Sequence, residues 1–256
     1  MDELKELKEL LSTKLNHSFI KNTIPKPLID EDKLAMVYFL CSKHGQSNVH
    51  NYEKMIAIML MQIALDTHEH IPSKNDLPLN LVNKQMTVLV GDYYSSLYYY
   101  VLSEIDQIEL IHEIALSTKI INEHKVNFYN EQITTLEQLY SSLGTIESEL
   151  FTSFATYSQK EYLVPIINHL FLYNRLLREK NYILKEEVSP LSNYLKKLTT
   201  FENKSSILNV INEKANDCIY QIEDSLQFLP YEYHQLKEYI NKRLALFDKS
   251  YVAEEG

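Results

Sequence analysis

A chain of 256 residues, 45% apolar and 23% charged, has material for a sizeable core. Its formal charge of -10, with no basic stripe, argues against a general nucleic-acid binder. The two cysteines, Cys41 and Cys218, lack CxxC or CxxH companions and fit a reducing compartment as small core residues. No apolar run approaches the ~20 residues that span a bilayer, so a cytoplasmic protein without a transmembrane segment is expected.

The N-terminus, MDELKELKELLSTKL, has no continuous apolar region of the signal-peptide kind and puts Leu4, Leu7, Leu11 and Leu15 on one helical stripe. IPKPLIDED breaks that pattern, and its Asp30 is placed to cap a helix from Lys33 to about Ser42. Beyond the loop KHGQSNVHN, a strongly apolar helix is predicted from Asn51 to His70, with Met55, Met59, Gln62, Ile63 and Asp66 at helical spacing. Met55, Met59, Met61 and Met86 read as ordinary core or as the lining of a lipid pocket. The loop IPSKNDLPLN leads into two consecutive long helices, 81–105 and 107–129, parted near Asp106. Thr134 and Glu137 make a capping box for a helix carrying Leu136, Leu139, Leu143, Ile146 and Leu150 on one face. Ser158 and Glu161 repeat that start signal before a helix from Leu163 to Glu179, and Ser189 before Pro190 is an N-cap with proline at the first helical position. The last helix, Tyr231 to about Lys249, carries Leu236, Ile240, Leu244 and Phe247 on one side. Four glycines, seven prolines and no sustained alternation of apolar and polar residues leave little room for strands. The expectation is all-α: a single domain over residues 1–256, about ten helices bundled around one core.

Catalytic signatures are missing: there is no GxSxG, no glycine-rich phosphate loop and no HExxH. The densest polar cluster is LDTHEH, residues 65–70. His68 and His70, at i and i+2, point about 200° apart on a helix and cannot easily share one metal ion. The plain reading is an exposed helix end running into a loop. The second unusual stretch is VLVGDYYSSLYYYVLSE, residues 88–104, with five tyrosines in eight positions. Tyr93, Leu97 and Tyr100 share one face, and Tyr94, Tyr98 and Val101 an adjacent one. A helix apolar on two faces needs burial on both, either inside its own domain or partly against a partner. The pattern alone leaves these two alternatives open.

The order of these pieces resembles the trans-isoprenyl diphosphate synthase family. There an apolar helix ends in an aspartate-rich DDxxD motif, a loop follows, and a further helix carries a GDY or GDF signature. MLMQIALDTHEH, IPSKNDLPLN and VLVGDYYSSLYYYVLSE stand in that order, and INEHKVNFY and TTLEQLYSSLGTIESELF resemble the next helices. The resemblance covers about residues 30–180, while 185–256 fit as C-terminal helices. ALDTHEH with QMTVLVGDYYSSLYYYVLSE and INEHK is more closely similar to the small subunits of two-component heptaprenyl diphosphate synthases.

The departures from that family carry its functional implication. Catalytic members hold Mg²⁺ on carboxylates at i, i+1 and i+4, which bridge the ions to the diphosphate. Those positions read Asp66, Thr67 and His70, and Glu69 does not restore the geometry. The second aspartate motif is replaced by Asn174, Arg175 and Arg178, basic groups that fit a phosphate and repel Mg²⁺. IPKPLIDEDK stands where a Gly-Lys-Arg signature would bind isopentenyl diphosphate, and Gly144 where the family has a lysine. The resemblance therefore implies no catalytic residue, no metal and no cofactor in this chain. It implies a heterodimer with a catalytic DDxxD-bearing prenyl diphosphate synthase subunit. That partner would use Mg²⁺ to extend farnesyl diphosphate with isopentenyl diphosphate for the menaquinone side chain. Isoprenoid diphosphate would meet this chain only indirectly. The helices at 81–105 and 107–129 correspond to the family's dimer face, which makes Asp92, Tyr93, Tyr94, Leu97, Tyr98 and Val101 the interface or tunnel residues. Two rival readings are a weakly active synthase with Asp66 and Glu69 in an altered metal site, and a stand-alone helical isoprenoid-binding protein.

Overall fold

A computed structural model describes residues 2–17, 20, 25–41, 49–69, 80–187, 189–199 and 203–252. They contain ten α-helices, two 3₁₀ turns and no strand. The helices are α1 (Asp2–Lys14), α2 (Glu31–Cys41), α3 (Val49–Glu69), α4 (Asn80–Ser103), α5 (Ile108–Tyr129), α6 (Leu136–Tyr157), α7 (Val164–Leu184), α8 (Pro190–Leu198), α9 (Lys204–Gln227) and α10 (His234–Val252). Their contacts group into two compact units, Met1–Ser117 with Tyr157–Gln159, and Thr118–Thr156 with Lys160–Gly256.

In the first unit α3 is the central element. Every residue from Met55 to Leu65 is buried, as expected of a helix apolar on all sides. The methionines Met55, Met59 and Met61 are therefore core, while Met86 is half-buried. α1, α2 and α4 all pack on α3, and α1 brings Leu7 and Leu11 of the predicted stripe, with Leu15 buried just past its end. Asp30 caps α2 as read from the sequence: its carboxylate accepts the N–H groups of Asp32 and Lys33 at 2.9 and 3.0 Å. Four helix N–H groups have no partner inside the helix, and this cap satisfies two of them.

In the second unit α7 packs on α8 and α9. Ser148 of α6 donates to the Asn168 side chain of α7 at 2.5 Å, and Phe151 meets Phe171 edge-on at 5.0 Å. Tyr194 of α8 ties down the α5–α6 connection. Its hydroxyl accepts the Ile133 N–H at 2.8 Å, and its ring stacks on Phe128 at 5.3 Å. Ser189 caps α8 through Ser192 N–H at 2.9 Å, with Pro190 in the first turn. Both cysteines are buried, and burial pushes the Cys218 thiol up to about 11.

Two start signals resolve differently from their sequence reading. The capping box forms at Thr135 and Gln138 instead of Thr134 and Glu137. Thr135 Oγ1 accepts Gln138 N–H at 3.2 Å, and the Gln138 amide oxygen accepts Thr134 N–H at 3.2 Å. With two threonines followed by Glu-Gln, both registers satisfy the sequence motif. Ser158 and Glu161 do not cap α7. A 3₁₀ turn at Glu161–Leu163 precedes it, and Leu163 is the N-cap without a side-chain bond. Pro165 sits in the first turn and brings no N–H in need of one.

The scarcity of glycine leaves a mark at the helix ends. Asp106, Glu131, Gln159 and Glu186 hold left-handed backbone at φ of 55, 58, 56 and 60°. Each is followed by an N–H that reaches back five residues, at Gln107, Gln132, Lys160 and Glu187, with lengths of 3.0, 3.0, 2.8 and 2.8 Å. This is the geometry usually supplied by glycine after a helix. Side chains in that conformation cost roughly 1–2 kcal/mol.

Candidate functional site

The first motif occupies the last turn of α3. Asp66 is half-buried, and its Oδ1 accepts Gln62 Nε2 at 2.8 Å from one turn back. Thr67 is buried and donates its hydroxyl to the Ile63 carbonyl at 2.7 Å. Glu69 is half-buried, and His70 lies outside the described residues. The three ligand positions thus hold one carboxylate already engaged by an amide, a hydroxyl spent on its own helix, and a histidine. That donor set does not fit a hard dication such as Mg²⁺, which needs several free oxygens. Among the described residues, no group of three or more His, Cys, Asp or Glu stands together as a metal site.

His68 has a different partner. Its Nε2 lies 3.6 Å from Asp92 Oδ1 on α4, and its ring rests on Gly91. A Cβ on Gly91 would stand 2.5 Å from two atoms of that ring. The GDY signature is therefore read here as a helix contact: glycine admits the imidazole, and aspartate meets its outer nitrogen. Gly91→Ala is expected to push the partly exposed imidazole aside at a net cost of about 1 kcal/mol or less, and His68→Ala in the same chain to remove that cost. A thermodynamic cycle from urea unfolding checks the coupling, and additive losses would show that the two do not touch.

The second motif lies on α7 and is tied up in ion pairs. Arg175, 11% exposed, meets Glu147 at 3.0 Å and Glu179 at 2.8 Å. Arg178, 41% exposed, reaches Glu147 at 2.9 Å. Glu179 is fully buried, and its second oxygen accepts the Ser189 hydroxyl at 2.6 Å. Both guanidinium groups that the sequence offered to a phosphate are answered by carboxylates, and Asn174 beside them is half-buried. The i to i+4 step from Arg175 to Glu179 was a legible helix pair. Glu147 was not legible, because it sits on the inward face of α6 beside Leu143 and Ile146.

On α4 the tyrosine-rich stretch divides by face. Tyr94 and Val101 point into the unit's own core. Tyr93, Leu97 and Tyr98 are half-buried, with the Tyr93 ring 5.5 Å from that of His17. Burial pushes the phenols of Tyr94 and Tyr98 up. Tyr94 and Val101, which the resemblance made interface or tunnel residues, lie in the core of their own unit, because α4 packs on α3 with that face. The outward face carries Val88, Leu89, Asp92, Ser96, Tyr99 and Tyr100. Ser96 and Ser103 turn their hydroxyls back onto the carbonyls of Tyr93 and Tyr100, so they add little polarity to it. Ile108 at the start of α5 and Leu116 about two turns further on are exposed as well.

The chain matches the family description "Heptaprenyl diphosphate synthase (HEPPP synthase) subunit 1" over residues 17–227. It is 32% identical over 171 residues to heptaprenyl diphosphate synthase component 1 of Geobacillus stearothermophilus, across 64% of this chain and 76% of that protein. The chain belongs to the heptaprenyl diphosphate synthase subunit 1 family.

Its fold is that of the polyprenyl synthases. A polyprenyl synthase from Caulobacter crescentus CB15, solved with calcium and isoprenyl diphosphate, superposes with a TM-score of 0.63 at 13% identity, over 90% of both chains. A decaprenyl diphosphate synthase from Rhodobacter capsulatus gives 0.58 at 12% identity, again over 90% of both. Within this subunit 1 fold, Gly144 of α6 faces open space: a Cβ there meets nothing within 4 Å. Gly144→Ala is therefore expected to stabilise the helix by about 0.5–1 kcal/mol in a thermal melt. A loss of stability would mean that the position is crowded.

Proposed function

We propose that this subunit 1 family member is the non-catalytic half of a two-component heptaprenyl diphosphate synthase. It works by binding and supporting a catalytic DDxxD-bearing subunit. The observation that carries the reading is the donor set at Asp66, Thr67 and Glu69, of which Asp66 and Thr67 are engaged inside α3. Release of a diphosphate from an allylic carbon needs strong electrostatic stabilisation of the leaving group. Neither motif of this chain offers it, since Arg175 and Arg178 are neutralised by Glu147 and Glu179.

The partner brings Mg²⁺ and adds isopentenyl diphosphate units to farnesyl diphosphate, and the product serves the menaquinone side chain in the cytoplasm. This chain carries no cofactor of its own. Its contact surface is the outward face of α4 with the start of α5, where Leu89, Tyr99, Tyr100 and Ile108 stand exposed. Aromatic side chains on such a face supply contact area while their hydroxyls stay hydrated in the free protein. Tyr98 and Leu97, half-buried beside it, act sterically on the growing chain in this reading.

Purified chain incubated with Mg²⁺, farnesyl diphosphate and radiolabelled isopentenyl diphosphate is expected to form no extractable prenyl product. Adding a DDxxD-bearing catalytic subunit restores synthesis. Product made by the chain alone would sink the reading.

A further inference from the structure

We propose that the turn between α9 and α10, centred on Phe228 and Tyr231, docks the protein reversibly on a neutral lipid bilayer surface. Phe228 is 79% and Tyr231 87% exposed. Tyr220, two turns earlier on the same side of α9, is exposed too, as is Tyr162. The turn that presents these rings is anchored from beneath. Leu229 and Tyr233 are buried, and the Tyr233 hydroxyl is hydrogen-bonded to that of Tyr162. Phe228 N–H donates to Ser225 O at 3.3 Å, and Tyr233 N–H to Pro230 O at 3.0 Å. The Tyr231 ring stacks on His234 at 5.3 Å and 17°. Outward aromatic rings are thus held in place before any ligand arrives.

Area and charge select the occupant. Two aromatic side chains offer roughly 150–250 Å² each, short of the ~800 Å² that each partner contributes to a standard protein interface. At a membrane surface amphipathic aromatic rings sit at headgroup level, and a small inserted apolar area gives weak, reversible binding. From Gln227 to Tyr231 the turn, QFLPY, has no charged residue. Pro230 has no N–H to strip of water. Around it Glu223, Asp224 and Glu232 are exposed and acidic, which disfavours anionic headgroups and leaves a zwitterionic surface. No helix among the described residues is long and apolar enough to cross a membrane, so the contact is peripheral. The inference uses none of the motif residues and stands independently of the subunit reading.

The chain has no tryptophan, so Phe228→Trp places one indole reporter at the turn. Its emission is expected to shift to the blue on titration with phosphatidylcholine vesicles, with half-saturation at millimolar lipid. Adding Tyr231→Ser should abolish the shift, and phosphatidylglycerol in the vesicles should weaken it. Tyr99→Trp on α4 should not respond. In parallel, the unsubstituted chain should co-sediment with phosphatidylcholine vesicles at millimolar lipid. An unsubstituted chain that stays in the supernatant overturns the proposal. So does a shift that appears only with anionic lipid, or only with an added protein.

Discussion

Replacing Arg175 with methionine is expected to lower folding stability by about 3–5 kcal/mol, the cost of leaving buried carboxylates without their cation. Arg175 is nearly enclosed and satisfies both Glu147 and Glu179. Without it, Glu179 keeps only neutral partners, the Ser189 hydroxyl at 2.6 Å and the Leu191 N–H at 3.4 Å. Because Ser189 is also the N-cap of α8, strain at Glu179 passes to the start of that helix. A chain of this size should lose on the order of 10 °C in melting temperature, with the urea midpoint falling at an unchanged slope. Arg178→Met is the contrast: its side chain is 41% exposed, and water screens the pair to about 1 kcal/mol or less. Adding Glu179→Met to Arg175→Met removes a stranded charge and should recover part of the loss. If Arg175→Met costs less than Arg178→Met, the network is not the buried structural element described here.

The second large effect is expected at the proposed partner surface, the outward face of α4. Tyr99→Asp should weaken association with the catalytic subunit by about 100-fold or more, in the range of a hot-spot aromatic, because a carboxylate in a closed apolar interface has no cation to meet. The ring is 57% exposed in the free chain, so folding should be unaffected and the melting temperature unchanged. Leu89→Asp on the same face should act likewise. Tyr94→Asp should differ in kind, since Tyr94 is fully buried and the substitution unfolds the first unit instead of loosening a complex. Calorimetric titration of each variant into the catalytic subunit, alongside its melting curve, separates the two classes. Affinity unchanged by both Tyr99→Asp and Leu89→Asp would move the interface off α4.

These predictions differ from what the sequence pattern supported. Periodicity put Tyr94, Tyr98 and Val101 on one face and Tyr93, Leu97 and Tyr100 on its neighbour, but a helix with apolar residues on most sides has no pattern-level marker for which side turns inward. Packing on α3 decides it, with Gly91 seated against the His68 ring and Val90, Tyr94 and Val101 following inward. The degenerate second motif is a similar case. Arg175 and Arg178 read as cations free for a phosphate, because the carboxylate that holds both of them, Glu147, is 28 residues away from Arg175 along the chain.

The all-α class, the order and extent of most helices and the caps at Asp30 and Ser189 were all determined by the sequence itself. Each depends on residues within about one turn of one another, and short-range chemistry is legible along a chain. Tertiary structure alone decided the inward turn of Tyr94 and Val101 and the capture of Arg175 by Glu147 and Glu179. Those outcomes depend on which surfaces meet when helices distant in sequence pack together, and local propensity carries no term for that.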